Sequence, residues 1–151
     1  MKSSLVQSGR RLLVILDPGD DVLPALIAAC VQNDIVQGYV PVFVGAFRTA
    51  TLIGTHGSII DSDAPLADSV VVTNVEGLGS GTIASGIEGA IPHLHVALGE
   101  KGKGAASSAG HLLSAEVQYV TEIVVEEIVS PQLVKRPDPA ARGLANLAFE
   151  V

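Results

Sequence analysis

Two rhythms of apolar and polar residues run along this 151-residue chain, and they divide it unevenly. The run Arg11 to Leu16, "RLLVIL", is short and rich in strand formers, and it stops at the turn signal Asp17-Pro18-Gly19. A helical period follows. Asp20 or Asp21 is placed to cap a helix reaching about Asn33, with Pro24 in the first turn, where its missing N–H costs nothing. Leu23, Leu26, Ile27 and Cys30 fall on one side of it. From Gly38 the pattern turns to strand. "YVPVFVGAFRTATLIGTH" is dense in β-formers, and Gly45 within it predicts a bulge or a close backbone approach. Residues 61–68 read as a polar loop and 69–75, "SVVVTNV", as a strand. "EGLGSGTIASGIEGAIP" reads as a glycine-punctuated passage with one short strand near Gly81 to Ala84. A strand over 92–98, a flexible loop over 99–110 and a long, bent strand over 115–129 complete the pattern. The tail from Pro131 is broken by prolines, with "LANLAF" as a final strand or short turn. The sum is one domain over 1–151, with a core of about 9–129 and a tail of 130–151. Its class is α+β, a mostly antiparallel sheet with one main helix.

Composition narrows this picture. Hydrophobic residues make up 48% of the chain, charged residues 17% and aromatics 3%, which argues against disorder and requires an aliphatic core. Nine basic residues face sixteen acidic ones, for a formal charge of −7. A field of that sign repels phosphate backbones and anionic membranes. Cys30 is the single cysteine, so it forms no internal disulfide, and it reads as a buried thiol in a reducing, cytoplasmic setting. The apolar run at the N-terminus ends at Asp17, too soon for a secretory signal, and no stretch approaches the roughly 18–20 apolar residues of a membrane span.

The chemistry concentrates in "HLHVALGEKGKGAASSAGH", residues 93–111, which holds three of the four histidines. Side chains alternate along a strand, so His93 and His95 point to one face while Leu94, Val96 and Leu98 point to the other. His111 follows a loop long enough to bring it back to that pair. Three imidazoles with an open fourth position suit a divalent transition metal. Zinc is the first expectation, and iron, nickel and copper share the preference for imidazole nitrogen. Affinity should fall as pH drops below about 6.5, where free imidazole protonates. The competing reading is structural, with His93 and His95 hydrogen-bonded to loops or to neighbouring subunits. "GEKGKG", residues 99–104, lacks the second half of a phosphate-binding loop and reads as a solvated hairpin tip.

Several stretches, taken in order, resemble the plants and prokaryotes conserved (PPC) domain family. "GRRLLVILDPGDDVLPALIAACVQNDIVQGYV" at 9–40 is similar to its opening strand, Pro-Gly-acidic turn and helix. "VGAFRTATL" at 44–52 resembles its Gly-Ala segment, and residues 93–128 resemble its His-x-His strand, variable loop, Gly-His-Leu and closing Thr-Glu strand. "RPDPAARGLANLAF" is similar to the usual ending. Two positions depart from the pattern: Ala109 stands where the family has a glycine, and "EGLGSG" at 76–81 is richer in glycine than its counterpart. The resemblance implies a homotrimer and kinship with the acetolactate decarboxylase fold, in which three histidines hold zinc. It places Glu122 in the Thr-Glu stretch, either supporting a ligand histidine or facing solvent. Arg48 could hold a carboxylate or lie exposed. His56 matches no family motif and reads as a turn histidine, with a fourth ligand as the alternative.

Three functions are consistent with these features. The first is a trimeric, metal-binding domain for a small-molecule ligand or regulatory protein contacts. The second is a metal-dependent lyase or decarboxylase acting on a keto acid. The third is the DNA-associated regulator suggested by the plant relatives. It fits the residues least well, because the chain carries no Arg-Gly-Arg-Pro hook and "VKRP" at 134–137 is a two-charge patch. No appreciable binding to generic duplex DNA is therefore expected at physiological salt. A gel-shift series showing micromolar, salt-sensitive binding would overturn this.

Overall fold

The computed structural model describes residues 2–54, 69–86, 89–104, 106–141 and 143–150. Strand β1 (Gln7–Leu16) leads through the Asp17–Asp20 turn into helix α1 (Val22–Gln32). Strands β2 (Gly38–Ile53), β3 (Val70–Gly86), β4 (Gly89–Glu100) and β5 (Ser107–Ser130) follow, and β6 (Gln132–Pro137), a 3-10 turn (Pro139–Ala141) and β7 (Ala145–Glu150) end the chain. Apart from one parallel bridge between β3 and β6, the named strands pair antiparallel, so the α+β class holds. The predicted polar loop at 61–68 lies outside the described residues. Among the described residues no helix is long and apolar enough to cross a membrane.

The helix forms where the apolar period predicts it. Val22, Leu26 and Cys30 are fully buried, four residues apart, with Leu23, Ala25 and Ala29 packed at the margins of the same stripe. The expected aspartate cap does not form. Asp21 occupies the N-cap position in extended backbone without a side-chain bond to the helix. The Asp20 carboxylate turns back instead and accepts a 2.9 Å bond from the Asp17 N–H, closing the turn. Burial raises the Cys30 thiol pKa, in keeping with an inert core residue.

Four strands close on themselves. β2 pairs with β3, β3 with β4, β4 with the first residues of β5, and β5 returns to β2. One edge of β5 serves β4 over Ser107–His111 and then β1 over Thr121–Ser130. Successive register shifts between β2 and β5 bend the long strand as the sequence suggested. Phe43, Phe47, Leu94, Leu98, Leu112 and Val117 fill the inside of this closure. Gly45 is a close approach: an added Cβ would lie 2.3 Å from Thr121 Oγ1.

Two sequence expectations are corrected here. The glycine-punctuated passage holds more than a short strand near Gly81 to Ala84, because β3 runs unbroken from Val70 to Gly86. Its alternating glycines sit directly against β4. A Cβ at Gly77 would meet the Ala97 carbonyl oxygen at 2.0 Å, one at Gly79 the His95 oxygen at 2.5 Å, and one at Gly81 the His93 oxygen at 2.0 Å. The glycines therefore permit a tight strand pair that no other residue would allow. The second correction shortens the loop at 99–110. Turn geometry covers 101–104, and β5 has begun by Ser107 because "SSAG" pairs with β4 from Gly99 back to Val96.

The C-terminal hairpin belongs to the same sheet. Val134 of β6 pairs with Ser85 of β3, and β7 pairs along β6. Buried Gln37 fastens it: its amide nitrogen donates to the carbonyls of Ile128 (2.8 Å) and Pro131 (3.0 Å), and its oxygen accepts from the Leu133 N–H (2.6 Å). This side chain has both donor hydrogens and its oxygen in use, the condition under which a buried amide stabilises.

Gly81→Val should force β4 away from β3 and destabilise the fold by about 3 kcal/mol, at the upper end of ordinary overpacking. Gly54→Ala, where an added Cβ has nothing within 4 Å, should be close to neutral. Urea denaturation of the two variants compares the effects. Equal stability in both would remove the steric role assigned to the glycine alternation.

Candidate metal centre

The histidines converge because of strand register. His93 and His95 lie two apart on β4, on the face opposite buried Leu94, Val96 and Leu98. His111 is directly opposite His95 across the β4–β5 pair, so its side chain emerges on the same face. Ring centroids are 5.2 Å apart for His93–His95, 4.8 Å for His93–His111 and 5.4 Å for His95–His111. One nitrogen from each ring lies within 4.8 Å of the others. Among the described residues this is the one cluster of histidine, cysteine or carboxylate side chains with metal-site spacing.

The donor set fits a metal. Zn–N bonds of about 2.0–2.1 Å place tetrahedral ligand nitrogens about 3.4 Å apart, and small rotations of the imidazoles cover the remaining distance. His111 Nδ1 is buried and, among the described residues, has no hydrogen-bond partner, an expensive condition for a ring nitrogen unless something else coordinates it. Burial is the largest influence lowering the His93 pKa, to about 4, with Lys135 and the other two histidines adding to it. The His111 pKa is lowered as well, first by burial and then by His95 and Lys135. Both rings are thus held in the neutral form that binds metal.

Sequence reasoning passed over one residue. Lys135 of β6, partly buried, places Nζ 3.2 Å from His93 Nδ1. An ammonium can only donate, so Nδ1 accepts and the ring proton sits on Nε2. Nothing in "VKRP" signals this contact. It arises from the pairing of β6 with the end of β3. Lys135 also lines a cavity of about 1020 Å3, together with Ile27, Ser85, Pro92, Gln132, Val134 and Glu150. The histidines lie outside that cavity, and Lys135 is the side chain that touches both.

The other candidates separate from the triad. Glu122 is exposed and stands eleven residues further along β5 than His111. Its Cα partners are Ile15 and Val44, so the structure gives it no contact with a ligand histidine. Arg48 is exposed and pairs with Glu116 at 2.7 Å. His56 lies outside the described residues. Ala109, the departure from the Gly-Gly-His-Leu pattern, is an exposed position opposite Ala97, where its methyl crowds no core atom.

Solved structures share this fold. No curated protein sequence matches the chain. The solved structure of a metal-containing protein from Archaeoglobus fulgidus is similar with a TM-score of 0.81 and 23% identity, covering 98% of this chain and 99% of that one. A plant- and prokaryote-conserved (PPC) protein from Pyrococcus horikoshii gives a TM-score of 0.79 at 18% identity, over 100% of both chains. A Staphylococcus aureus protein of unknown function, described as similar to alpha-acetolactate decarboxylase, gives 0.51 at 13% identity, covering 82% of this chain and 53% of that one. These likenesses establish the fold, an architecture shared with the decarboxylase-like protein. The sequence profile of the Plants and Prokaryotes Conserved (PCC) domain matches residues 3–129, and the chain belongs to that family.

Proposed function

We propose that the protein binds one divalent transition metal per chain, zinc in the first place, through His93, His95 and His111, and offers the ion's remaining position to a small molecule. The observation that carries this reading is the buried, unpartnered Nδ1 of His111 beside two further imidazoles on the same face. The metal-containing protein from Archaeoglobus fulgidus, alike in fold over nearly the whole chain, supports it. Binding is favoured over turnover because, among the described residues, no carboxylate joins the histidine cluster to move a proton.

Assembly as a homotrimer is part of the proposal. Ile15, Glu122, Val44, Leu78 and Ala97 are consecutive Cα partners across five strands, and all five are exposed. Leu13 and Val42 extend this band, and Leu78 is 63% exposed. His95 is two residues from Ala97 on the same face. Further copies of the chain seated on this band would cover its apolar side chains and shelter the histidines.

Wild-type protein purified without a histidine tag should hold one zinc per chain, and His95→Ala should lose it while keeping its circular dichroism. A wild type that stays metal-free after exposure to zinc at neutral pH would make the histidines structural.

The pH dependence has a definite sign. His93 is neutral in the folded chain down to about pH 4, whereas an unfolded histidine protonates near 6.5. The unfolded chain therefore gains protons first as pH falls, so this contribution to stability is present above about 6.5 and is lost on descent toward 4. Proton competition at His93 and His111 begins below the ordinary histidine range, so bound zinc should persist to lower pH than free imidazole would allow. Zinc content after dialysis across pH 4 to 7 measures this, and a loss centred at 6.5 would contradict it.

Light scattering on a sizing column should give three times 15.5 kDa for the wild type. Leu78→Glu, which sets a charge in the apolar band, should give the monomer mass. A monomeric wild type at micromolar concentration would remove the assembly from the proposal.

A further inference from the structure

We propose that Lys135 selects the ligand of the three-histidine centre, giving way to the metal at His93 and then holding an anion, such as a small carboxylate, at the metal's open position. The inference rests on the metal-binding reading above. It concerns a residue outside the family-matched segment 3–129, supplied by the C-terminal hairpin.

The lone pair on His93 Nδ1 accepts a hydrogen bond from the Lys135 ammonium at 3.2 Å. A neutral imidazole bound to a metal through one nitrogen keeps its proton on the other. His93 Nδ1 therefore either holds the ion or holds a proton. Neither state leaves a lone pair for an ammonium, so the Lys135–His93 bond and a metal–His93 bond exclude one another. The ion also repels the ammonium directly. Metal entry must turn the Lys135 side chain away.

Its stem constrains where the charge can go. Val134 is paired with Ser85, and the Leu133 N–H is tied to Gln37, so the backbone of β6 stays beside the site. Among the described residues no carboxylate lies within ion-pair distance of Lys135, while the next residue, Arg136, pairs with Glu150. Three neutral imidazoles would leave both charges of a divalent ion uncompensated, and Lys135, rooted beside His93, adds a third positive charge to the surroundings of the cluster. An anion there meets the ion and the ammonium together, whereas a neutral ligand gains only the first. The cavity that Lys135 lines holds none of the histidines and gives room for the remainder of such a ligand, and its one carboxylate, Glu150, is already paired with Arg136.

The test uses Co(II) as the metal and acetate as the anion, with acetamide as the neutral comparison. The ligand-field absorption of bound Co(II) reports both occupancy and the fourth ligand. Lys135→Met keeps the aliphatic stem and removes the charge. It should bind Co(II) more tightly than wild type, because the competitor at His93 is gone. It should bind acetate roughly tenfold more weakly, the factor expected for one lost charge-assisted hydrogen bond, with acetamide unchanged. Lys135→Arg should restore the acetate affinity. Opposite shifts for metal and anion are what a merely structural lysine would not give. Acetate affinity unchanged in Lys135→Met, or Co(II) affinity reduced, overturns the inference alone. Absence of Co(II) binding by the wild type overturns the metal-binding reading and this inference with it.

Discussion

The close contact between β3 and β4 is the constraint on which the rest of the molecule depends. Gly77, Gly79 and Gly81 each face a carbonyl oxygen of β4 at a distance where a methyl group cannot fit. Because these side chains are absent, β4 lies tightly along β3 while its other edge reaches the start of β5, and the four-strand closure is completed. The carbonyls facing Gly79 and Gly81 belong to His95 and His93 themselves. The sterics of one strand thus fix the backbone of the two histidines on the next. His111 joins them because the same closure sets it opposite His95.

This arrangement divides the residues of β4 between two tasks. Leu94, Val96 and Leu98 supply aliphatic core, while His93, His95 and Ala97 face outward. A change at the histidines therefore touches coordination more than packing. The outward position still carries enough burial to disfavour protonated His93 and His111. Neighbouring cations add to that effect, since each imidazole raises the cost of charging the next. His93 and His111 thereby keep their lone pairs available across the neutral range.

The C-terminal hairpin completes the surroundings of the site from outside the family-matched segment. Gln37, at the entrance to β2, uses both ends of its amide to tie the end of β5 and the start of β6 into place. Lys135 owes its position to that anchorage, two residues beyond the Leu133 N–H that Gln37 accepts from. A buried neutral amide thus governs the location of a charge that acts on the histidines.

The sequence by itself determined the elements whose signals are local. The apolar stripe of α1, the turn at Asp17–Gly19, the α+β class and the shared face of His93 and His95 follow from periods of 3.6 and 2 residues, which hold wherever the segment packs. The ordered match of short motifs located the third histidine and the family. Only the tertiary structure decided what depends on a partner strand. "EGLGSG" reads in isolation as a glycine-punctuated stretch before one short strand, since glycine weakens a lone strand, and becomes continuous β3 because β4 occupies the space its side chains would need. Glu122 shares a family motif with the site, yet pairing sets it between Ile15 and Val44 rather than beside a histidine. Lys135 shares none and is brought to His93 by β6, because register between distant strands is set by packing and closure.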